Sequence, residues 1–268
     1  MKNKKQSKAK FKISLPLVVI LVALCIAELL YNFVFGSPSN FQGGDTANQP
    51  IPGNYFGIIY KGGVIVPILM TVMITMLTFV VERFIAIGKA SGKSDVTSFV
   101  KQIQDLISVG KISEAREACE TQKGSVANVI YSALGKYQEM EKSNDLAKDQ
   151  KLMAIQKEID EATALELPGL GENLVVISTI SSVATLIGLL GTVLGMIRAF
   201  SALANAGSPD SVALSAGISE ALVNTALGIG SAAVAIIAYN YYTTRIDTIT
   251  YSIDEAGFSI IETYASKH

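Results

Sequence analysis

Residues 174–203 run for thirty positions with one charged side chain, Arg198. At about 1.5 Å of rise per residue, about 20 apolar residues cross the roughly 30 Å hydrocarbon core of a bilayer. In lipid such a stretch has to satisfy its backbone internally, which makes it a helix. Three further segments are long enough: residues 13–35, interrupted by Glu28 and Asn32; residues 62–87, closed by Glu82 and Arg83; and residues 212–242, with Glu220 as the sole charge. Composition agrees, since half of the 268 residues are hydrophobic, 17% are charged and mean hydropathy is +0.40. The sequence predicts an all-α integral membrane protein.

The distribution of lysine and arginine sets the orientation. Residues 1–12 carry six lysines, whereas the loop 36–60 has no basic residue. The N-terminus is therefore expected inside and the loop outside. After the second span, residues 88–170 hold eleven basic and thirteen acidic residues and belong to the cytoplasm. The resulting organisation is a basic N-terminus and first span at 1–35, an outer loop at 36–61 and a span at 62–87. A cytoplasmic helical domain at 88–172 follows, then a span at 173–204, an outer turn at 205–211, a span at 212–242 and a cytoplasmic tail at 243–268. The first segment also reads as a cleavable signal, through its lysine-rich start and Cys25-Ile26-Ala27. Its apolar run continues to Phe35, longer than a signal core needs, and the remaining topology is the same either way. A lipoprotein reading of Cys25 lacks the small residue that should precede it.

The cytoplasmic region reads as helix. Val96, Phe99, Val100, Ile103, Leu106 and Ile107 recur at the three-and-four spacing of one buried face. Gly110-Lys111 breaks the pattern and Ser113 is a candidate N-cap for the next helix. Apolar positions from Val126 to Met140 mark a third helix, and residues 146–167 a fourth, which should end at an elbow over Pro168-Gly169-Leu170-Gly171. The tail continues helical through Ile246, Ile249, Ile253, Phe258 and Ile261. The charges of this region read as a solvated bundle face.

The inventory for chemistry is thin. The single histidine is His268, so a Ser-His or Cys-His nucleophile has no support. Cys25 and Cys119 form no CxxC, which argues against a disulfide framework or a zinc site. Neither a P-loop nor a strand-linked GxGxxG occurs. With 22 basic and 23 acidic residues and no basic cluster beyond the N-terminus, nucleic acid is not an expected partner. The chain is expected to be no enzyme and to need no metal or cofactor.

Function is carried by the last two spans. Gly191 and Gly195 give the third a small-xxx-small face for close helix approach. In the fourth, Glu220 lies about eight residues inside the span, roughly 12 Å deep, where a carboxylate must face a helix bundle, a water-filled cavity or a partner. Asn224 shares its face, while Thr225 is rotated by about 140°. Glu220 and Thr225 cannot both face one narrow axis from a straight helix, so either one meets a neighbouring subunit or the helix deviates. A packing role for Glu220, and back-bonding of the threonines to the preceding turn, are the structural alternatives.

Gly-Leu-Leu-Gly-Thr-Val-Leu-Gly-Met at 188–196, Glu-Ala-Leu-Val-Asn-Thr-Ala-Leu-Gly at 220–228 and Ala-Tyr-Asn at 238–240 together resemble the ExbB/TolQ/MotA proton-channel family, on its ExbB and TolQ side. Glu82-Arg83 fits the same pattern, and the resemblance covers about residues 62–245. It implies a three-span core with long cytoplasmic helical extensions, here with an extra N-terminal transmembrane helix. It also implies a subunit of a bacterial inner-membrane motor driven by the proton-motive force. Such a motor is a homo-pentamer around a dimer of single-span ExbD/TolR-like partners that supply the titrating aspartate. By motif, Thr192 and Thr225 match the pore-lining threonines and Glu220 matches the intramembrane acid near the subunit interface; Gly188, Gly191, Gly195 and Gly228 are the candidate positions for close helix packing. Two departures stand out. Where the family often has Ala-Pro, this chain has Ala184-Thr185, and Thr185 falls within about 20° of the face of Thr192, adding a hydroxyl to the pore wall. The first span is an addition to the core, with anchoring or packing as its expected role. The resemblance favours energising TonB-dependent transport with a TonB-like protein; a TolQ-like, secretion or motility motor and a non-conducting scaffold are the alternatives, and an intramembrane protease lacks its aspartate pair.

Overall fold

The computed structural model describes residues 15–204 and 210–267. The six lysines, most of the 205–211 turn and His268 lie outside the described residues. The elements are α1 (Leu15–Leu29) with a π-helical turn at Leu30–Phe35, α2 (Tyr55–Tyr60), α3 (Ile65–Ser91), α4 (Val96–Ser108), α5 (Ile112–Gln122), α6 (Ser125–Lys142), α7 (Lys148–Gly171), α8 (Leu174–Ala204) and α9 (Ser211–Lys267). The described residues contain no strand, only an isolated bridge between Phe41 and Pro50. Four helical stretches are long and apolar enough to cross a membrane: Pro16–Phe35 and those containing α3, α8 and α9. The chain divides into two compact units, one from the residues up to Thr78 with Ser178–Ile236, the other from Phe79–Ile177 with the chain beyond Ile237.

In the first unit α1 packs on one side only. Ala23 and Ala27 are buried whereas Leu17, Leu21 and Phe33 are exposed, as suits a helix with lipid on its other faces. Ala27 meets Val66 and Met70 of α3, with Tyr31 and Phe35 alongside. Glu28 and Asn32, the interruptions seen in the sequence, satisfy one another locally: the Asn32 amide donates to the Glu28 carbonyl at 2.9 Å and to its carboxylate at 3.2 Å. The π turn that follows is closed by the Gly36 amide on the Tyr31 carbonyl, five residues back. Its orphan carbonyls are taken by buried Asn40, whose side-chain amide donates to Val34 at 2.7 Å and Phe35 at 2.9 Å while its oxygen accepts from Asn54.

The second unit is a helical bundle. The predicted α4 stripe of Val96, Phe99, Val100, Ile103 and Ile107 is buried, but Leu106 is half-exposed. The α6 stripe of Val126, Val129, Ile130, Ala133, Leu134 and Tyr137 is buried with it, and Tyr137 meets Tyr264 of α9 edge-on at 4.8 Å between ring centroids. Buried Gln122 ties the α3–α4 turn to the end of α5, accepting from the Ser94 amide at 3.0 Å and donating to the Ser94 carbonyl at 2.9 Å.

Two sequence expectations need correction. The α5 helix starts at Ile112 with Lys111 as its N-cap, so Ser113 is already inside it; buried Ile112 anchors the first turn. The elbow after α7 is not at Pro168–Gly171, because the helix runs through Pro168 to Gly171. A proline this near the end forfeits one intrahelical bond. The turn is made instead by Asn173 at φ 62°, a conformation asparagine tolerates better than most residues.

Arg83 holds that helix end. It is buried, its guanidinium is clasped by the adjacent Glu82 carboxylate, and it donates to the Gly169 carbonyl at 3.1 Å and the Leu170 carbonyl at 3.2 Å. Two orphan carbonyls and one carboxylate therefore depend on one cation. Arg83→Met should cost about 3–5 kcal/mol, read as a lower unfolding midpoint of the purified protein in detergent. Elsewhere in the bundle, burial pushes the Cys119 thiol up to about 12, against a smaller opposing effect of Arg116. The thiol stays protonated at pH 8, and maleimide should label Cys119 only after denaturation.

Candidate functional site

The α8 and α9 helices meet along a seam of small residues. A Cβ added at Gly195 would lie 2.6 Å from the Ala221 nitrogen and 2.7 Å from the Gly217 carbonyl oxygen. One at Gly228 would lie 2.7 Å from the Ala184 oxygen, one at Gly188 3.0 Å from the Gly228 Cα, and one at Gly191 2.5 Å from the Asn224 Cβ. The backbones are thus in direct contact, which an apolar solvent favours because no hydrophobic force holds side chains together there. All four glycines singled out by motif lie on this seam. Gly217, Ala184, Ala199 and Ala221 join them; their small-residue spacing continues the same stripe and was open to reading.

The threonines sit beside the seam. Thr192 and Thr225 are half-buried and hydrogen-bond to each other directly across the two helices. Each also faces the carbonyl four residues back, Thr192 toward Gly188 at 3.1 Å and Thr225 toward Ala221 at 3.0 Å. The back-bonding alternative and the shared contact are therefore both present. Two hydroxyl protons serve three contacts, because each hydroxyl donates once. Either Thr192 donates to Thr225 and Thr225 to Ala221, or Thr225 donates to Thr192 and Thr192 to Gly188. Exchange between these arrangements moves no heavy atom.

Thr185 does not join the pair. It is exposed and donates to the Ser181 carbonyl at 3.2 Å. Ser181, Thr185 and Thr192 nevertheless lie within about 40° of one another around α8, a ladder of hydroxyls on one face.

Glu220 and Asn224 share a face, as the spacing predicts, and that face turns to the start of α3. Asn224, fully buried, donates to the Gly62 carbonyl at 2.9 Å. A Cβ at Gly63, whose φ is 74°, would lie 2.6 Å from Glu220 Oε1, so only glycine serves there. Glu220 is buried, its side chain 7% exposed, and its two carboxylate oxygens accept from one Arg198 nitrogen at 2.6 and 2.7 Å. Sequence reasoning passed over Arg198 as a functional residue. The signal was present: it is the lone charge of its span, six residues or about 9 Å from the end of α8, while Glu220 lies nine residues or about 13.5 Å from the start of α9. Two lone opposite charges at similar depth on successive helices are expected to pair.

Among the described residues no group of three or more metal-ligating side chains comes together. The comparisons with known proteins bear on the same segment, since residues 122–255, half of the chain, match the MotA/TolQ/ExbB proton channel family. The chain belongs to this family. It is a family of proton channels, and the chain is a membrane protein whose α8 and the first part of α9 fall within the matched residues. The Tol-Pal system protein TolQ of Pseudomonas aeruginosa is 24% identical over 187 residues, 68% of this chain and 81% of that protein. The TolQ of Haemophilus influenzae is 38% identical over 84 residues, 31% of this chain. The biopolymer transport protein ExbB of Helicobacter pylori is 38% identical over 94 residues, 35% of this chain. These two matches span 37% and 64% of the relatives' own lengths. One TolQ and one ExbB relative thus match at the same 38% identity, each over about a third of this chain.

The seam makes a direct prediction. Gly195→Ala should destabilise the protein in detergent by about 1–3 kcal/mol, because backbone atoms cannot yield. Gly230→Ala, where a Cβ meets nothing within 4 Å, should be neutral or raise the unfolding midpoint.

Proposed function

We propose that this chain is the channel-forming subunit of a bacterial inner-membrane motor, in which Thr192 and Thr225 relay protons at the wall of a central pore. The observation that carries the reading is the direct contact of the two hydroxyls, with two interchangeable proton arrangements, in a stretch whose nearest charges are already paired with each other. A hydroxyl pair offers no fixed charge to trap a cation, so it suits transfer more than tight binding. Ser181 and Thr185 continue the hydroxyl face toward the start of α8.

In this reading both termini are cytoplasmic, residues 36–61 and 205–211 lie outside, and copies of the chain, five by family resemblance, surround a dimer of ExbD/TolR-like helices. A carboxylate on those helices takes up and releases the proton, and the threonines hydrogen-bond to it or to water. The transported ion is the proton, with no resident cofactor. The work is delivered to the envelope, through a TonB-like protein in outer-membrane transport. The similarity to TolQ relatives supports a second load, a TolQ-like role, served by the same site. The first span, packed on α3 through Ala27, anchors and covers the core from outside.

Proton flux in proteoliposomes tests this, using the chain with the single-span partner encoded beside it and an imposed gradient. Flux should require the partner and fall about tenfold or more in Thr192→Val/Thr225→Val, since valine keeps the shape and removes both hydroxyls. Partner-dependent flux that survives the double substitution would remove the threonines from the pathway. A scaffold without conduction would give no flux in the wild type.

A further inference from the structure

The seam between α8 and α9 separates two chemistries. Taking about 100° per residue around α8 from Gly188, Gly195 falls at about −20° and Ala199 at about +20°, with Thr192 at about +40° and Arg198 at about −80°. Around α9 from Gly217, the same rotation puts Asn224 at about −20° and Gly228 at about +20°, with Thr225 at about +80° and Glu220 at about −60°. The hydroxyl pair therefore stands on one edge of the seam and the ion pair on the other, the edge that meets Gly62 and Gly63. This resolves why Glu220 and Thr225 cannot share an axis: Glu220 faces its own chain.

A seam of glycine and alanine permits close approach but, apart from Asn224 seated against Gly191, offers little side-chain interlocking to fix its axial position. Directional bonds have to do that. Three groups of them cross to α9 at this level: Arg198 to Glu220, Gly62 to Asn224, and Thr192 to Thr225. The ion pair is charge-assisted and its carboxylate end is buried, so a broken pair leaves a buried charge unpaired. The Glu220 side chain is 7% exposed, between Arg198 of α8 and the Gly63 backbone, with Asn224 one turn on, while the Arg198 side chain is 54% exposed. Tyr31, in the π turn after α1, donates its hydroxyl proton to the Tyr60 carbonyl at 3.1 Å and so is engaged elsewhere.

We propose that Arg198 and Glu220 form a latch that sets the register of α8 against α9 and so holds Thr192 against Thr225. Arg198 is a positioning residue, and Glu220 acts by its place and its hydrogen bonds; the transported proton does not pass through its carboxylate. The inference rests on the relay reading for its flux test but not for its register test.

Two measurements decide it, both on the full chain. The first reads register: Thr192→Cys/Thr225→Cys in a Cys25→Ser/Cys119→Ser background, scored for disulfide cross-linking in membranes. Adding Arg198→Ala or Glu220→Ala should lower the yield by about tenfold or more; Glu220→Gln, which keeps one acceptor oxygen for Arg198 but loses the charge and the second acceptor, should lower it less than Glu220→Ala, and the exchange Arg198→Glu/Glu220→Arg should keep it. The second is partner-dependent proton flux in the cysteine-free chain with both threonines intact. Flux should fall with Arg198→Ala and Glu220→Ala, and in Glu220→Gln only in proportion to the cross-linking that variant loses. Cross-linking that ignores Arg198→Ala would overturn the latch. So would a Glu220→Gln protein that cross-links normally yet conducts no better than Glu220→Ala, since the carboxylate would then carry the proton. Absence of flux in the wild type with cross-linking in the expected order would refute the relay and leave the latch standing.

Discussion

Backbone contact between α8 and α9 is the constraint on which the rest of this site depends. In hydrocarbon, side chains gain nothing by hiding from their surroundings, so helices associate through van der Waals contact and polar bonds at short range. Gly188, Gly195, Gly217 and Gly228 bring the two backbones to where a single Cβ would collide. Only at that distance can short side chains such as Thr192 and Thr225 touch. A pair of leucines on the seam would part the helices by several ångströms, and each hydroxyl would be left with its own helix.

Close approach also determines how polar groups are handled at depth. Arg198 and Glu220 are costly in lipid as single charges but cancel as a pair, and the carboxylate is the more buried of the two. Asn224 closes onto the Gly62 carbonyl, one of the carbonyls that precede α3 and lack an intrahelical partner. The helical bundle follows the same logic at Arg83, where one buried cation serves the neighbouring Glu82 and the last carbonyls of α7. In both units a glycine or asparagine in the left-handed region, Gly63 or Asn173, turns the chain where a long helix begins.

Much of the fold was legible because the signals are local. Span length, the charge asymmetry of the loops and three-and-four periodicity each operate within one segment, and α4, α6 and the continuous α9 follow from them. Where a boundary depended on a distant partner, local signals misplaced it. Pro168 looked like the end of α7, yet the helix continues because its carbonyls are met by Arg83, 86 residues away in the chain. Ser113 looked like a cap, yet with Ile112 buried the helix starts two residues earlier, capped at Lys111.

The sequence by itself determined that the chain crosses a membrane, which residues form the paired family motifs, and that Glu220 and Thr225 look in different directions, because hydropathy and helical angle are properties of one segment. Tertiary structure alone decided what each of them meets. That Thr192 finds Thr225, that Glu220 finds Arg198 and the Gly63 backbone, and that Thr185 finds neither depends on the axial register of two helices. The seam admits that register and cross-helix bonds select it, and no pattern within either helix encodes the distance between them.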